Sequence, residues 1–140
     1  MVKLIWQLFG VDVSDQQPPN KYHGFVYELE LADGKKYIGK KSMWSVTKKK
    51  LTQKEIASMV NKREKKWKFV TKESDWRNYT SSSKLFGSRE VVKKTILELA
   101  LSKRHLTYLE TKIMFQRDVL EDDNYLNDNI GGRYYRSNLI

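Results

Sequence analysis

Three features of the 140-residue chain predict a small α/β (α+β) domain built as a three-stranded antiparallel sheet flanked by helices. A hairpin pattern occupies residues 25–39, a run rich in β-branched residues occupies 91–100, and an apolar stripe at helical spacing occupies 106–121. The length suits one domain with one modest core, divided into a lead-in segment, 1–22, and a folded domain, 23–140.

The lead-in opens on Leu4, Ile5, Trp6, Leu8 and Phe9, with Lys3 ahead of them. This run is too short to span a bilayer and has no small-residue cleavage site, so no membrane partner is expected. It either packs on the domain or forms a homodimer contact, and the sequence leaves both open. Both prolines fall in residues 11–22, which read as a loop.

The hairpin is the clearest element. Phe25 to Leu31 alternates towards its end, Lys36 to Gly39 reads as the returning strand, and Ala32-Asp33-Gly34 lies between. Asp-Gly marks a tight turn that needs a positive φ. Thr52 and Glu55 fit a capping box, and Ile56, Met59 and Val60 follow at helical spacing, which predicts a helix over about 53–66. Its other face would carry Lys54, Lys62, Arg63, Lys65 and Lys66. Thr80 to Ser83 reads as a loop, and Val91 to Ala100 as the third strand. Leu106, Leu109, Ile113 and Leu120 form the stripe of a helix from about Leu106 to Glu121, ended by Asp122-Asp123-Asn124. The tail carries Tyr125-Leu126-Asn127 and the turn Gly131-Gly132.

The net charge of +10 is concentrated in the middle of the chain. Residues 35–105 hold 21 Lys and Arg against six acids, whereas both flanks are slightly acidic. Such a field attracts polyanions. Trp44, Trp67, Phe69, Trp76 and Tyr79 are interleaved with the charge, as in surfaces that track a nucleic-acid backbone. There is no cysteine, which excludes disulfides, cysteine-based zinc sites and a cysteine nucleophile, and fits a reducing cytoplasm. Phosphate-cradling glycine loops and HExxH are absent, and His23 and His105 read as surface or turn residues.

Chemistry is left to tyrosine, lysine and glutamate. Tyr27 and Tyr37 fall on paired strands, so both side chains can share a face. Gly39 follows, where a missing side chain would let a ligand approach, and then Lys40 and Lys41. Glu110 has Leu106, Ile113 and Met114 as its helical neighbours. A carboxylate on that face is partly desolvated and calls for a partner such as a divalent cation. Alternatively, Thr107 and Glu110 form a capping box at the helix start.

Phe25-Val26-Tyr27 and Tyr37-Ile38-Gly39 resemble the paired half-motifs of the GIY-YIG nuclease superfamily, with Phe where the first half has Gly. A glutamate on the helix after the third strand and an asparagine near the domain's end follow in order, matched by Glu110 and Asn127. The segment from Asp75 to Ser82 resembles one found in small phage-encoded, homing-type members. The resemblance covers roughly residues 24–130 and implies a DNA endonuclease working on duplex or branched DNA, in the host cytoplasm if phage-encoded. It implies Glu110 as ligand of one divalent ion, Mg²⁺ or Mn²⁺, and Tyr27 as general base, its pKa lowered by nearby lysines. Tyr37 would support it, Lys40 would neutralise the phosphate, and Asn127 would orient the substrate or the local backbone. An arginine expected soon after the second half-motif is replaced by Thr47, Lys48 and Lys49 in a basic insertion at about 42–75, leaving Arg63 or Arg77 to fill the role. DNA-gripping residues would be Lys41, Lys48, Lys49, Lys50, Lys62, Arg63, Lys65, Lys66 and Arg77. A catalytically inactive nucleic-acid-binding protein of the same fold and an RNA- or ribosome-associated basic protein are the alternatives.

Overall fold

The computed structural model describes residues 4–8, 11–12, 22–60, 66–81 and 84–139. The hairpin forms as its turn chemistry requires. Strand β3 (Gly24–Leu31) returns as β4 (Lys36–Ser42), with Gly34 at φ 86° in the turn. Short strands β1 (Gln7–Leu8) and β2 (Val11–Asp12) precede it, and β5 (Trp44–Lys50) follows. Next come helix α1 (Gln53–Ala57), β6 (Trp67–Glu73), β7 (Val91–Ala100) and helix α2 (Lys103–Gln116). The strands β8 (Asn129–Ile130) and β9 (Tyr134–Tyr135) close the fold.

The expected antiparallel trio is present as β7-β3-β4, but it is the inner part of a five-stranded sheet ordered β2-β1-β7-β3-β4. The lead-in supplies the difference, because β1 runs parallel to β7 and pairs Gln7 with Thr95. Trp6 is fully buried against Phe25 and Tyr27, which places this apolar run on the domain.

Alternation on β3 divides the interior into two layers. Val26 joins Ile38, Ala100, Leu106 and Ile113 under α2. Phe25, Tyr27, Leu29 and Leu31 face the other way, into an aromatic layer with Trp6, Trp76 and Phe86. That second layer is closed by the chain after β6. Lys94, 1% exposed, donates to the carbonyls of Arg77 (3.2 Å) and Tyr79 (2.9 Å), holding this segment against the sheet. A buried ammonium requires such acceptors.

Helix α2 starts earlier than its apolar stripe suggests. Ser102 is the N-cap and accepts from the His105 backbone N–H, so the helix begins at Lys103 and ends at Gln116. Thr107 and Glu110 therefore lie inside the helix, and the capping-box reading of that pair falls. Both histidines are structural: His105 accepts from the Leu101 N–H, and His23 bonds to the Ser42 hydroxyl.

The basic insertion departs most from expectation. Thr52 and Glu55 make the reciprocal capping box, but α1 stops at Ala57 rather than near residue 66. The flanking chain pairs as a two-stranded ribbon, β5 with β6, from Trp44↔Glu73 to Lys50↔Trp67. The Leu51 N–H donates to the Lys66 carbonyl at 2.9 Å, so the chain between must leave and return to one strand spacing. A straight helix of about 14 residues, some 21 Å long, is incompatible with that closure. Lys62, Arg63 and Lys65 lie outside the described residues. No helix among the described residues is long and apolar enough to cross a membrane.

Candidate active site

The tail reaches the outer edge of β4 and makes one wall of a cavity. An edge strand leaves backbone groups unpaired, and residues 124–127 satisfy them. The Lys36 N–H donates to the Asn124 carbonyl (2.7 Å) and the Leu126 N–H to the Lys36 carbonyl (2.8 Å). Asn127, 3% exposed, accepts from the Ile38 N–H at 3.0 Å and donates to the Ile38 carbonyl at 2.8 Å. Its amide acts as one more rung of the sheet, so of its two expected roles the local-backbone one is what the geometry supplies. Arg136 holds the loop in place by donating to the carbonyls of Tyr125 and Asn127.

The cavity, about 430 Å³, lies between this tail, β4 and α2. Tyr37, Lys40, Thr107, Glu110, Thr111, Asn127, Asp128 and Asn129 line it, so four of the five expected catalytic residues meet here. Lys40 is the one cation among these lining residues, and its Nζ donates to the Thr107 hydroxyl at 2.9 Å. Glu110 is half-buried beside Ile113 and Met114. Loss of solvent raises its carboxyl above the ordinary glutamate value, and the Lys40 charge offsets this only in part. The sequence does not single out Thr111 and offers Thr107 only as a capping residue, although Thr107 stands three residues before Glu110, where helical side chains share a face.

Tyr27 lies elsewhere. It is 2% exposed and pairs with Gly39 across the hairpin, while Tyr37 pairs with Leu29. The two tyrosine rings share a face, with centroids 6.5 Å apart. The space over Gly39 does not admit a ligand, because the Tyr27 ring fills it: a Cβ on Gly39 would stand 2.8 Å from Tyr27 Cε2. Nor do lysines lower the Tyr27 pKa. Burial dominates and pushes the phenol upwards, with the neighbouring Tyr79 adding to the effect. Tyr79 packs edge-on against Tyr27 at 6.0 Å, and Lys41 Nζ stands 4.2 Å from the Tyr79 ring centroid. No spacing pattern points to Tyr79 or Lys94, which join this cluster through tertiary packing.

Residues 6–130 match the family model described as "Putative endonuclease segE, GIY-YIG domain". The chain belongs to this GIY-YIG family. No curated protein and no solved structure matches it.

Within this GIY-YIG chain the first half-motif is filled for packing. Phe25 is fully buried against Trp6 and Trp76, where glycine would leave a void. A glycine is needed one residue earlier, since a Cβ on Gly24 would run into the backbone carbonyl oxygen of Lys41. Thr47, Lys48 and Lys49 lie on β5, and none of them lines the cavity. Arg77 pairs with Glu73 at 2.6 Å and stacks on Trp76. Lys41 pairs with Asp75 at 2.7 Å, and Lys48 Nζ stands 3.5 Å from the Trp67 ring centroid. Lys49, Lys50 and Lys66 are exposed.

Proposed function

We propose that this chain is a DNA endonuclease that hydrolyses phosphodiester bonds at the cavity between Tyr37, Lys40 and Glu110, using one divalent ion, Mg²⁺ or Mn²⁺. The observation that carries the reading is Glu110, a half-buried carboxylate with a raised pKa that lines a cavity beside a single ammonium group. A cation-binding carboxylate next to a phosphate-binding lysine can neutralise the charge that builds up in phosphodiester hydrolysis.

The residues present fit a hard cation held largely by oxygen atoms. Glu110 supplies the carboxylate, and Asp128 and Asn129 supply further oxygens on the cavity wall. Among the described residues there is no cluster of three or more His, Cys, Asp or Glu, so an all-protein cage is not offered and phosphate and water would complete the shell. When bound, the ion supplies Lewis-acid stabilisation of the charge that builds on the phosphate and the leaving oxygen.

The chain's own residues divide the remaining work. Lys40, fixed by Thr107, neutralises a non-bridging phosphate oxygen. Tyr37 lines the cavity, and its hydroxyl is the group assigned to orient the attacking water. Tyr27 is too buried for that role and instead buttresses Tyr37 through the shared aromatic layer. Asn127 fixes the backbone of Ile38, between the strand positions that carry Tyr37 and Lys40. Lys41, Lys48, Lys49, Lys50 and Lys66 grip DNA phosphates, as do Lys62, Arg63 and Lys65 of the same insertion. Such contacts supply affinity without sequence information.

A plasmid-nicking assay with Mg²⁺ or Mn²⁺ tests the reading, run beside a salt-dependent binding titration. Glu110→Ala and Tyr37→Phe should lose about 100-fold or more in nicking while still binding DNA. Full nicking by Glu110→Ala, or nicking that survives chelation of divalent ions, refutes it. Salt-sensitive binding with no cleavage of any DNA form would instead identify a binding protein that keeps the fold.

A further inference from the structure

The ribbon β5–β6 has a composition that packing does not explain. Its strands are seven residues long, about 24 Å at the usual rise. One face carries Val46, Lys48, Lys50, Trp67, Phe69 and Thr71. Phe69 is 70% exposed and Val46 61% exposed. The opposite face holds Lys68, which pairs with Glu55 of α1 at 2.7 Å and so draws that helix to its own side. Over residues 44–73 the described chain carries seven lysines against two acids, and both acids are already paired, Glu55 with Lys68 and Glu73 with Arg77. The charge therefore calls for a polyanion.

We propose that the ribbon is a reading arm that enters the major groove of duplex DNA with its Val46–Phe69 face, giving the chain a preference for A·T-rich sites. This rests on the DNA-cutting reading for its substrate. The major groove is about 12 Å wide and admits a two-stranded ribbon, and the apolar group that it displays is the thymine methyl. Exposed Val46 and Phe69 meet those methyls, while Lys48 and Lys50 on the same face reach the flanking phosphates. At the ribbon's root a groove of about 620 Å³ runs past Trp44, Ser45 and Lys72 to Lys41 and Asp75. Lys41, at the end of this groove, follows the cavity residue Lys40 on β4 and stands over Tyr79, so the ribbon's root lies one residue along the strand from the site.

The test compares binding of the full chain to an alternating A·T duplex and to the same duplex with uracil in place of thymine, which deletes the methyls alone. At about fourfold per buried methyl, two contacts give a preference on the order of tenfold for the thymine duplex. Val46→Ser/Phe69→Ser should reduce that ratio to about one with an unchanged thermal midpoint, since both positions are exposed. Lys48→Ala/Lys50→Ala should flatten the log–log salt slope by about 2. Equal affinity of the unaltered protein for the two duplexes, or a preference that survives in Val46→Ser/Phe69→Ser, overturns the proposal. Glu110-dependent nicking without thymine discrimination sinks the reading arm alone. Discrimination without nicking upholds the arm and sinks the nuclease.

Discussion

Removing the Asn127 side chain separates two roles that a buried asparagine beside a candidate active site could have. In Asn127→Ala the Ile38 N–H and C=O both lose their partner, and Ile38 is fully buried. Each orphaned buried group costs about 1–3 kcal/mol. The sum is about 2–6 kcal/mol, and the adjoining cavity of about 430 Å³ can admit water to one of the two groups, which favours the lower half. A loss of roughly 2–4 kcal/mol is therefore expected, or about 6–15 °C in Tm for a domain of this size. Urea and thermal unfolding measure it directly. Asn127→Asp is the sharper variant, because a carboxylate still accepts from the N–H but cannot donate to the carbonyl, so it should be less stable at neutral pH than at pH 4. If Asn127→Ala unfolds within about 0.5 kcal/mol of the unaltered protein and yet fails to nick DNA, the backbone-clamp argument is wrong and the amide serves the substrate instead.

Glu110→Gln carries a pH signature. The folded pKa lies above the ordinary value of 4.5, so the stability associated with the protonated carboxyl is present at low pH and is lost as pH rises through that raised value. Without divalent ions, Glu110→Gln should match the unaltered protein below about pH 4 and exceed it in Tm at neutral pH, while Mg²⁺ should raise the Tm of the unaltered protein alone. A difference independent of pH would contradict the desolvation argument. Gly39→Ala drives a Cβ into the Tyr27 ring and should cost about 1–3 kcal/mol. In a Tyr27→Ala background the same change should cost almost nothing, and a double-mutant cycle that shows no coupling would remove the ring from that position.

What the sequence discloses here is what local chemistry decides. Asp33-Gly34 specifies the turn, and alternation specifies the β3 faces, so the hairpin is readable and so is the apolar stripe of α2. The start of α2 is misplaced because apolar spacing locates Leu106, whereas the helix begins where Ser102 caps it. The ribbon escapes notice because its strands are lysine-rich and depend on pairing with a distant segment rather than on an apolar face. The Asn127 clamp joins residues 89 apart, and no local pattern encodes such a contact. Of the candidate site, the half-burial of Glu110 is legible because its helical neighbours are apolar, while its place in the site is read from the family resemblance. The burial of Tyr27 is not legible, since the covering segment around Trp76 and Tyr79 packs on it from elsewhere in the chain.

That covering segment changes which half-motif bears on the chemistry. A phenol 2% exposed, facing Gly39 and capped by Tyr79, has no path to a phosphate without displacement of the layer above it. Burial raises its pKa, which further disfavours the phenolate that a base would need. Tyr37 belongs to the same layer but is only half-buried, at the outer edge of the sheet, where it lines the same cavity as Lys40 and Glu110. The two tyrosines look equivalent in the sequence because both sit in named half-motifs on paired strands. The distinction between them comes from sheet order: β3 is flanked on both sides and β4 is an edge. The proposed hydrolysis needs solvent and room for a phosphate, so it is assigned to the edge, with the inner strand as its support.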